Sequence, residues 1–294
     1  MSTLHPPRAQ WVLDAARFGF RSVFQQALPP DEPELLRLLA AVGWHIEAAL
    51  SPGRTVWMVE ELQATFGLNR AAAIAAAREA WDLWMQSRLE DAVLSRVEST
   101  AGWVRLDGAL PERGLVLHLS AGSRKMAAWA LADAGEKAGR PRGWVGAFGK
   151  RGLPPTGEGA RRRSWLNRRD AAERRAAEDE LPVTWIEDEP ALGRHLQAGG
   201  LALVGVDDRG FRDTRAGTLF GRPGPLAELP WTLARQHPTV LLGVERLRDK
   251  THLVRLFPAH GGEQAILQAL EADVRRRPGH YAMTLVDWRM RGPT

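Results

Sequence analysis

From about residue 115 onward the chain alternates short apolar runs with longer stretches of helical period. The runs 115–121, 144–148, 183–186, 201–206, 239–244 and 252–257 are rich in Leu, Val and other aliphatic residues. Short continuous runs of this kind are expected of strands buried on both faces. Between them, 124–137, 162–180, 190–197, 226–236 and 264–277 space their apolar positions as helices do. The alternation predicts an α/β fold: a central, mostly parallel or mixed sheet covered by helices.

The first hundred residues follow a different pattern. Pro29-Pro30 and Ser51-Pro52-Gly53 divide them into helical segments, and Ser51 and Asn69 are residue types that cap helix starts. Residues 70–97 read as an Ala-rich helix with an apolar stripe through Ile74, Trp81, Trp84 and Leu89. The expected organisation is an N-terminal helical region, 1–100, packed on an α/β domain, 101–294, the two forming one structural unit. Residues 10–28 set Trp11, Phe18, Phe20, Val23 and Phe24 beside Arg17 and Arg21. That composition suits a helix lying in a bilayer interface or one packed on the domain.

Composition narrows the chemistry. With 294 residues and 44% hydrophobic content the chain can bury a sizeable core. The absence of cysteine excludes disulfides, thiolate nucleophiles and Cys-based zinc sites. The apolar stretch 35–50 is interrupted by Arg37, His45 and Glu47, so neither a membrane span nor a signal peptide is expected. Thirty-six arginines and four lysines face 35 acids, a net charge of +5. An Arg excess often follows genome composition, so the clustering of charge is more informative than its total. Residues 137–175 hold twelve basic residues, Arg161, Arg162 and Arg163 among them, against three acids. Such a segment attracts the phosphates of a lipid headgroup or a carrier arm, or else forms a solvated helix with an Arg169–Glu173 pair. No nucleic-acid-binding motif accompanies it, so nucleic acid is not an expected partner. Twelve Trp against the single Tyr281 add indoles suited to a lipid interface.

Several phosphate and hydrolase motifs are absent. GWVGAFGK at 143–150 has one residue too many for a P-loop and continues with Arg151; there is no GxGxxG, HExxH or GxSxG. The stretch richest in chemistry is GLVLHLSAGSRKMA at 114–127, a strand running into a helix start. Ser120, Gly122 and Ser123 can present backbone N–H groups at the positive end of that helix, with Arg124 and Lys125 as cations, a candidate seat for an anionic group. A tight turn that requires glycine accounts for the same residues. His118 lies on the strand, on the face shared by Val116 and Ser120, where histidines are more commonly core residues than bases. Asp207 and Asp208 end the run 201–206, at the sheet edge where open α/β sheets place ligands, and are also turn-forming residues.

The order of segments resembles the bacterial late acyltransferases of lipid A biosynthesis, the lauroyl/myristoyl type. The likeness runs from Arg54 and Phe66-Gly67 through GLVLHLSAGS (114–123), LQAGGLALVGVDDRG (196–210) and AGTLFGRPGPLAELPWTLARQ (216–236) to DVRRRPGHYAMTLVDWRMR (273–291). The resemblance implies transfer of a fatty acyl group from acyl-carrier protein or coenzyme A to a hydroxyl of a phospholipid or glycolipid. It also implies a cytoplasmic location, peripheral to the inner membrane, and no cofactor or metal. In that family a His-x4-Asp/Glu pair follows the matching strand, the histidine taking the acceptor's proton. The match sets Gly122 and Ala127 at those two positions, and none of the eight histidines has an acid five residues later. Two functions follow: an acyltransferase whose base is relocated to Asp207, Asp208 or His118, or an acyltransferase fold kept for lipid binding or regulation without catalysis.

Overall fold

The computed structural model describes residues 33–93, 97, 100, 102–149, 175–176, 178–208, 213–249 and 251–291. The N-terminal part is helical: α1 (Pro33–Leu50), α2 (Pro52–Phe66) and α3 (Arg70–Val93). Asn69 Oδ1 accepts the Ala72 N–H at 2.9 Å and caps α3. Ser51 occupies the N-cap position of α2, but its hydroxyl makes no capping bond. Gly67 ends α2 in the left-handed region at φ +66°, its N–H donating to Gln63 O.

The rest of the described chain builds β1 (Val104–Asp107), β2 (Gly114–His118), α4 (Arg124–Lys137), β3 (Val145–Phe148), β4 (Val183–Ile186), α5 (Glu189–Gln197) and β5 (Leu201–Gly205). After these come the hairpin β6 (Thr214–Leu219) and β7 (Arg222–Ala227), α6 (Leu229–Ala234), β8 (Thr239–Arg246), β9 (His252–Pro258), α7 (Glu263–Arg275), a 3₁₀ turn (Pro278–Tyr281) and α8 (Ala282–Arg291). Seven strands form one sheet in the order β1-β9-β8-β2-β5-β3-β4. The five strands from β8 to β4 run parallel, β9 lies antiparallel to β8, and β1 joins β9 in parallel. The architecture is therefore α/β with a mixed, mostly parallel sheet and an N-terminal helical segment. Among the described residues no helix is long and apolar enough to cross a membrane.

Burial explains the pattern of the central strands. Every residue of β2, β3 and β5 is buried, because helices cover both faces. Val116 packs with Met126, Leu131 and other α4 side chains on one face, while Leu115 and Leu117 pack with α5, α6 and α7 on the other. Met85 and Leu89 carry α3 onto the α4 face, so the N-terminal helices and the sheet share core. The crossover leaving β2 through α4 and the one leaving β5 through α6 thus lie on opposite faces. Their adjacent C-terminal ends form a switch point, the place where open α/β sheets leave a crevice.

Two expectations need correcting. The helix expected over 226–236 is a strand end followed by a shorter helix. Leu226 pairs with Arg215 across the β6–β7 hairpin and buries its side chain in the core, and α6 begins only where Pro230 favours a first turn. The helix expected over 264–277 stops at Arg275, ahead of Pro278, which disfavours helical backbone at the residue before it. The hairpin closes through Phe220 and Gly221, both at positive φ, +56° and +76°. This is the twist a two-residue hairpin connection demands. Phe220 tolerates it because its ring is enclosed by Phe66 and Tyr281, and its N–H donates to Glu271 Oε1 at 2.8 Å. The edge strand β1 was not anticipated from the sequence.

Candidate functional site at the β2–α4 turn

The switch point brings the ends of β2 and β5 together. Residues 119–122 turn the chain, Ser123 takes the N-cap position with its hydroxyl accepting the Met126 N–H, and α4 begins at Arg124. Ser120, Asp207 and Tyr281 interlock. Asp207, buried, accepts from the Ser120 N–H at 3.0 Å, from Ser120 Oγ at 2.9 Å and from Tyr281 Oη at 2.6 Å. Burial raises the Asp207 pKa above the usual carboxylate range, opposed by the bonds from Tyr281 and Ser120. The Ser120 carbonyl in turn accepts from Thr284 Oγ1 at 2.8 Å. Every polar atom of Ser120 is therefore committed to the fold.

Gly122 is a glycine for reasons of its own. Its φ is +70°, its N–H donates to His280 O at 3.3 Å, and a Cβ would lie 2.9 Å from both Cβ and Cγ1 of Val244. A histidine has neither the backbone freedom nor the room at this position. Ala127 is fully buried in the α4 core, so its side chain meets apolar neighbours and not a cleft. The two positions that the resemblance sets at the His-x4-Asp/Glu pair thus do not face one another across an open site.

The candidate cations are paired. Arg124 donates to Phe148 O at 3.0 Å and lies 3.6 Å from Asp208 Oδ2, and Lys125 lies 2.6 Å from Glu178. Arg161, Arg162 and Arg163 lie outside the described residues. His118 is buried at 4% exposure, and its Nδ1–H donates to Leu119 O at 2.8 Å, which leaves Nε2 as the acceptor nitrogen. That Nε2 is buried without a partner. Burial, aided by the Arg124 charge, pushes the His118 pKa down to about 4. The ring is neutral at pH 7, with one unengaged lone pair.

A cavity of about 160 Å³ opens beside the turn, lined by Ser120, Gly122 and Ser123 on one side and by Trp84, His280 and Met283 on the other. It has room for a few waters and falls short of the roughly 300–1,000 Å³ typical of ligand pockets. His280 in that lining reaches away from the cavity to Glu79, a pair not anticipated from the sequence. His280 Nε2 lies 3.4 Å from Glu79 Oε1, and His280 Nδ1 lies 3.4 Å from Val244 O. Burial would raise the Glu79 pKa, but the His280 bond and the charges of His280 and Arg277 hold it below its ordinary value.

A second missed constellation runs beneath α3. Asp82, Gln86 and Glu90 are buried one helical turn apart. They meet Arg246 (to Asp82 2.6 Å and to Gln86 3.0 Å) and His252 (to Glu90 2.7 Å) at the β8–β9 hairpin. Polar residues at i, i+4 and i+8 on the side of a helix that also carries Trp81 and Leu89 were the available signal. Among the described residues no three His, Asp or Glu side chains converge as metal ligands. No family model matches the chain, and no curated protein matches it.

Proposed function

We propose that this protein is an acyltransferase-like α/β protein that binds a fatty acyl donor and a membrane lipid at the cytoplasmic face of the inner membrane, with the usual transfer chemistry reduced or absent. The segment order described above supports the kinship, and the mostly parallel sheet with its switch point at β2 and β5 is compatible with it. The single observation that carries the loss of transfer is the interlocked turn at 118–127. Asp207 has three donors on its carboxylate, Asp208 stands against Arg124, and the Gly122 position is closed by Val244.

A relocated base is the second reading, and His118 is the residue that favours it. Its tautomer is fixed by the Leu119 carbonyl and its Nε2 is unpartnered. Its depressed basicity argues for weak catalysis, since proton transfer is most effective near the working pH. The deciding experiment supplies purified protein with labelled long-chain acyl-coenzyme A or acyl-carrier protein and a lipid extract of its host, with products resolved by mass spectrometry and lipid binding followed by vesicle sedimentation. The expected result is lipid binding with no turnover above background. Turnover that disappears in His118→Ala, with binding retained, overturns the proposal in favour of the relocated base.

A further inference from the structure

On the outer side of α3 lies a groove of about 600 Å³, within the range of pockets that take small organic ligands. Its floor is the alanine face of α3, Ala72, Ala75 and Ala76, and Trp44 of α1 stands at its side. Ala76 is buried, Ala72 half-buried and Ala75 exposed, so methyl groups stand where the margin of a helix face ordinarily carries polar residues. The charges around the groove are almost all spoken for. Arg246 is held by Asp82 at 2.6 Å, and Arg277 by Glu245 at 3.1 Å and Glu79 at 3.8 Å. Arg78 is exposed and has no hydrogen-bond or ion-pair partner among the described residues.

We propose that this groove binds a small organic monoanion with a flat apolar body. The alanine floor gives close approach to a planar group, Trp44 adds an aromatic wall, and the one uncompensated guanidinium matches a single negative charge. With Asp82 and Glu79 neutralised by Arg246 and Arg277, the lining keeps the one positive charge of Arg78, which matches a monoanion better than a dianion. The site does not rest on the acyl-binding reading, because the Glu79–His280 pair separates the groove from the β2–α4 turn.

The test titrates the full-length chain with 1-anilinonaphthalene-8-sulfonate, a monoanion with a flat naphthalene ring whose fluorescence reports an apolar site. In parallel, N-phenyl-1-naphthylamine supplies a closely related body without the charge. Saturable binding near one equivalent is expected. Arg78→Glu should weaken the sulfonate at least tenfold and leave the neutral amine within about twofold. Trp44→Ala should weaken both. Arg194→Glu, an exposed residue of α5 on the far side of the sheet, should change neither. Thermal melts check that each variant stays folded. Equal losses in Arg78→Glu and Arg194→Glu, or binding that never saturates, overturn the proposal.

Discussion

The β2–α4 turn and the groove on α3 lie on neighbouring sides of one helix and treat polar groups in opposite ways. At the turn, the sheet edge where this type of fold leaves room for ligands, Ser120, Asp207, Arg124 and Lys125 all spend their hydrogen bonds and charges on other parts of the protein. On α3, where the fold makes no such provision, an apolar floor lies beside a guanidinium that no described residue compensates. Position in a fold says where a site can be. Which groups remain unmatched says where binding energy is still available.

The largest effect that sharpens the contrast comes from the groove's paired charges. Asp82→Ala leaves Arg246 buried without its carboxylate and should cost about 3–5 kcal/mol in urea unfolding. Gly122→His, the substitution that would restore the family's histidine, should instead destabilise by about 2–4 kcal/mol, from positive φ and the contact with Val244. It should give no gain in acyl transfer. A stable Gly122→His protein would mean that the turn relaxes, and the comparison would lose one of its sides.

Acid gives the next effect. The folded His118 ring protonates only near pH 4 and the unfolded one near 6.5, so the unfolded state binds the extra proton between those values. Stability should therefore fall as pH drops through that window, by about 2–3 kcal/mol at pH 4.5 from this group alone. His118→Gln should flatten that part of the profile. Smallest of all, Arg78→Ala should shift stability by no more than about 0.5 kcal/mol, as expected of a side chain that holds nothing in the fold. A loss above 1 kcal/mol would place Arg78 among the structural charges and erase the difference between the two regions.

The strands were legible because parallel strands covered on both faces must be apolar throughout; the runs at 115–121, 144–148 and 201–206 carry that requirement directly in their composition. The hairpin was not. Thr214–Ala227 contains Gly217, Gly221, Pro223, Gly224 and Pro225, which read locally as loop, and it holds its strands through a turn and through Arg222, which reaches Glu61 and Thr65 on α2. Asp207 and His118 were singled out as chemical groups, yet their commitment depends on Tyr281 and on burial, both set by distant chain. The reason for Gly122 was likewise invisible, since Val244 stands on another strand. Glu79 and His280 lie about 200 positions apart, and only the packing of the 3₁₀ turn against α3 makes them neighbours.

The hairpin tip has a consequence for the order in which the molecule assembles. Phe220 holds an unfavourable backbone conformation that is offset only when Phe66, from the N-terminal helices, and Tyr281, from the C-terminal turn, close around its ring. The two strands of the hairpin are close in sequence, whereas both partners of its tip come from other elements, so the tip's strain is offset only after the hairpin itself has formed and those elements have docked. The tip should then be absent from the rate-limiting barrier. Trimming Phe220 to Leu should leave the refolding rate nearly unchanged and speed unfolding, which makes this one residue a latch on how long the native state persists.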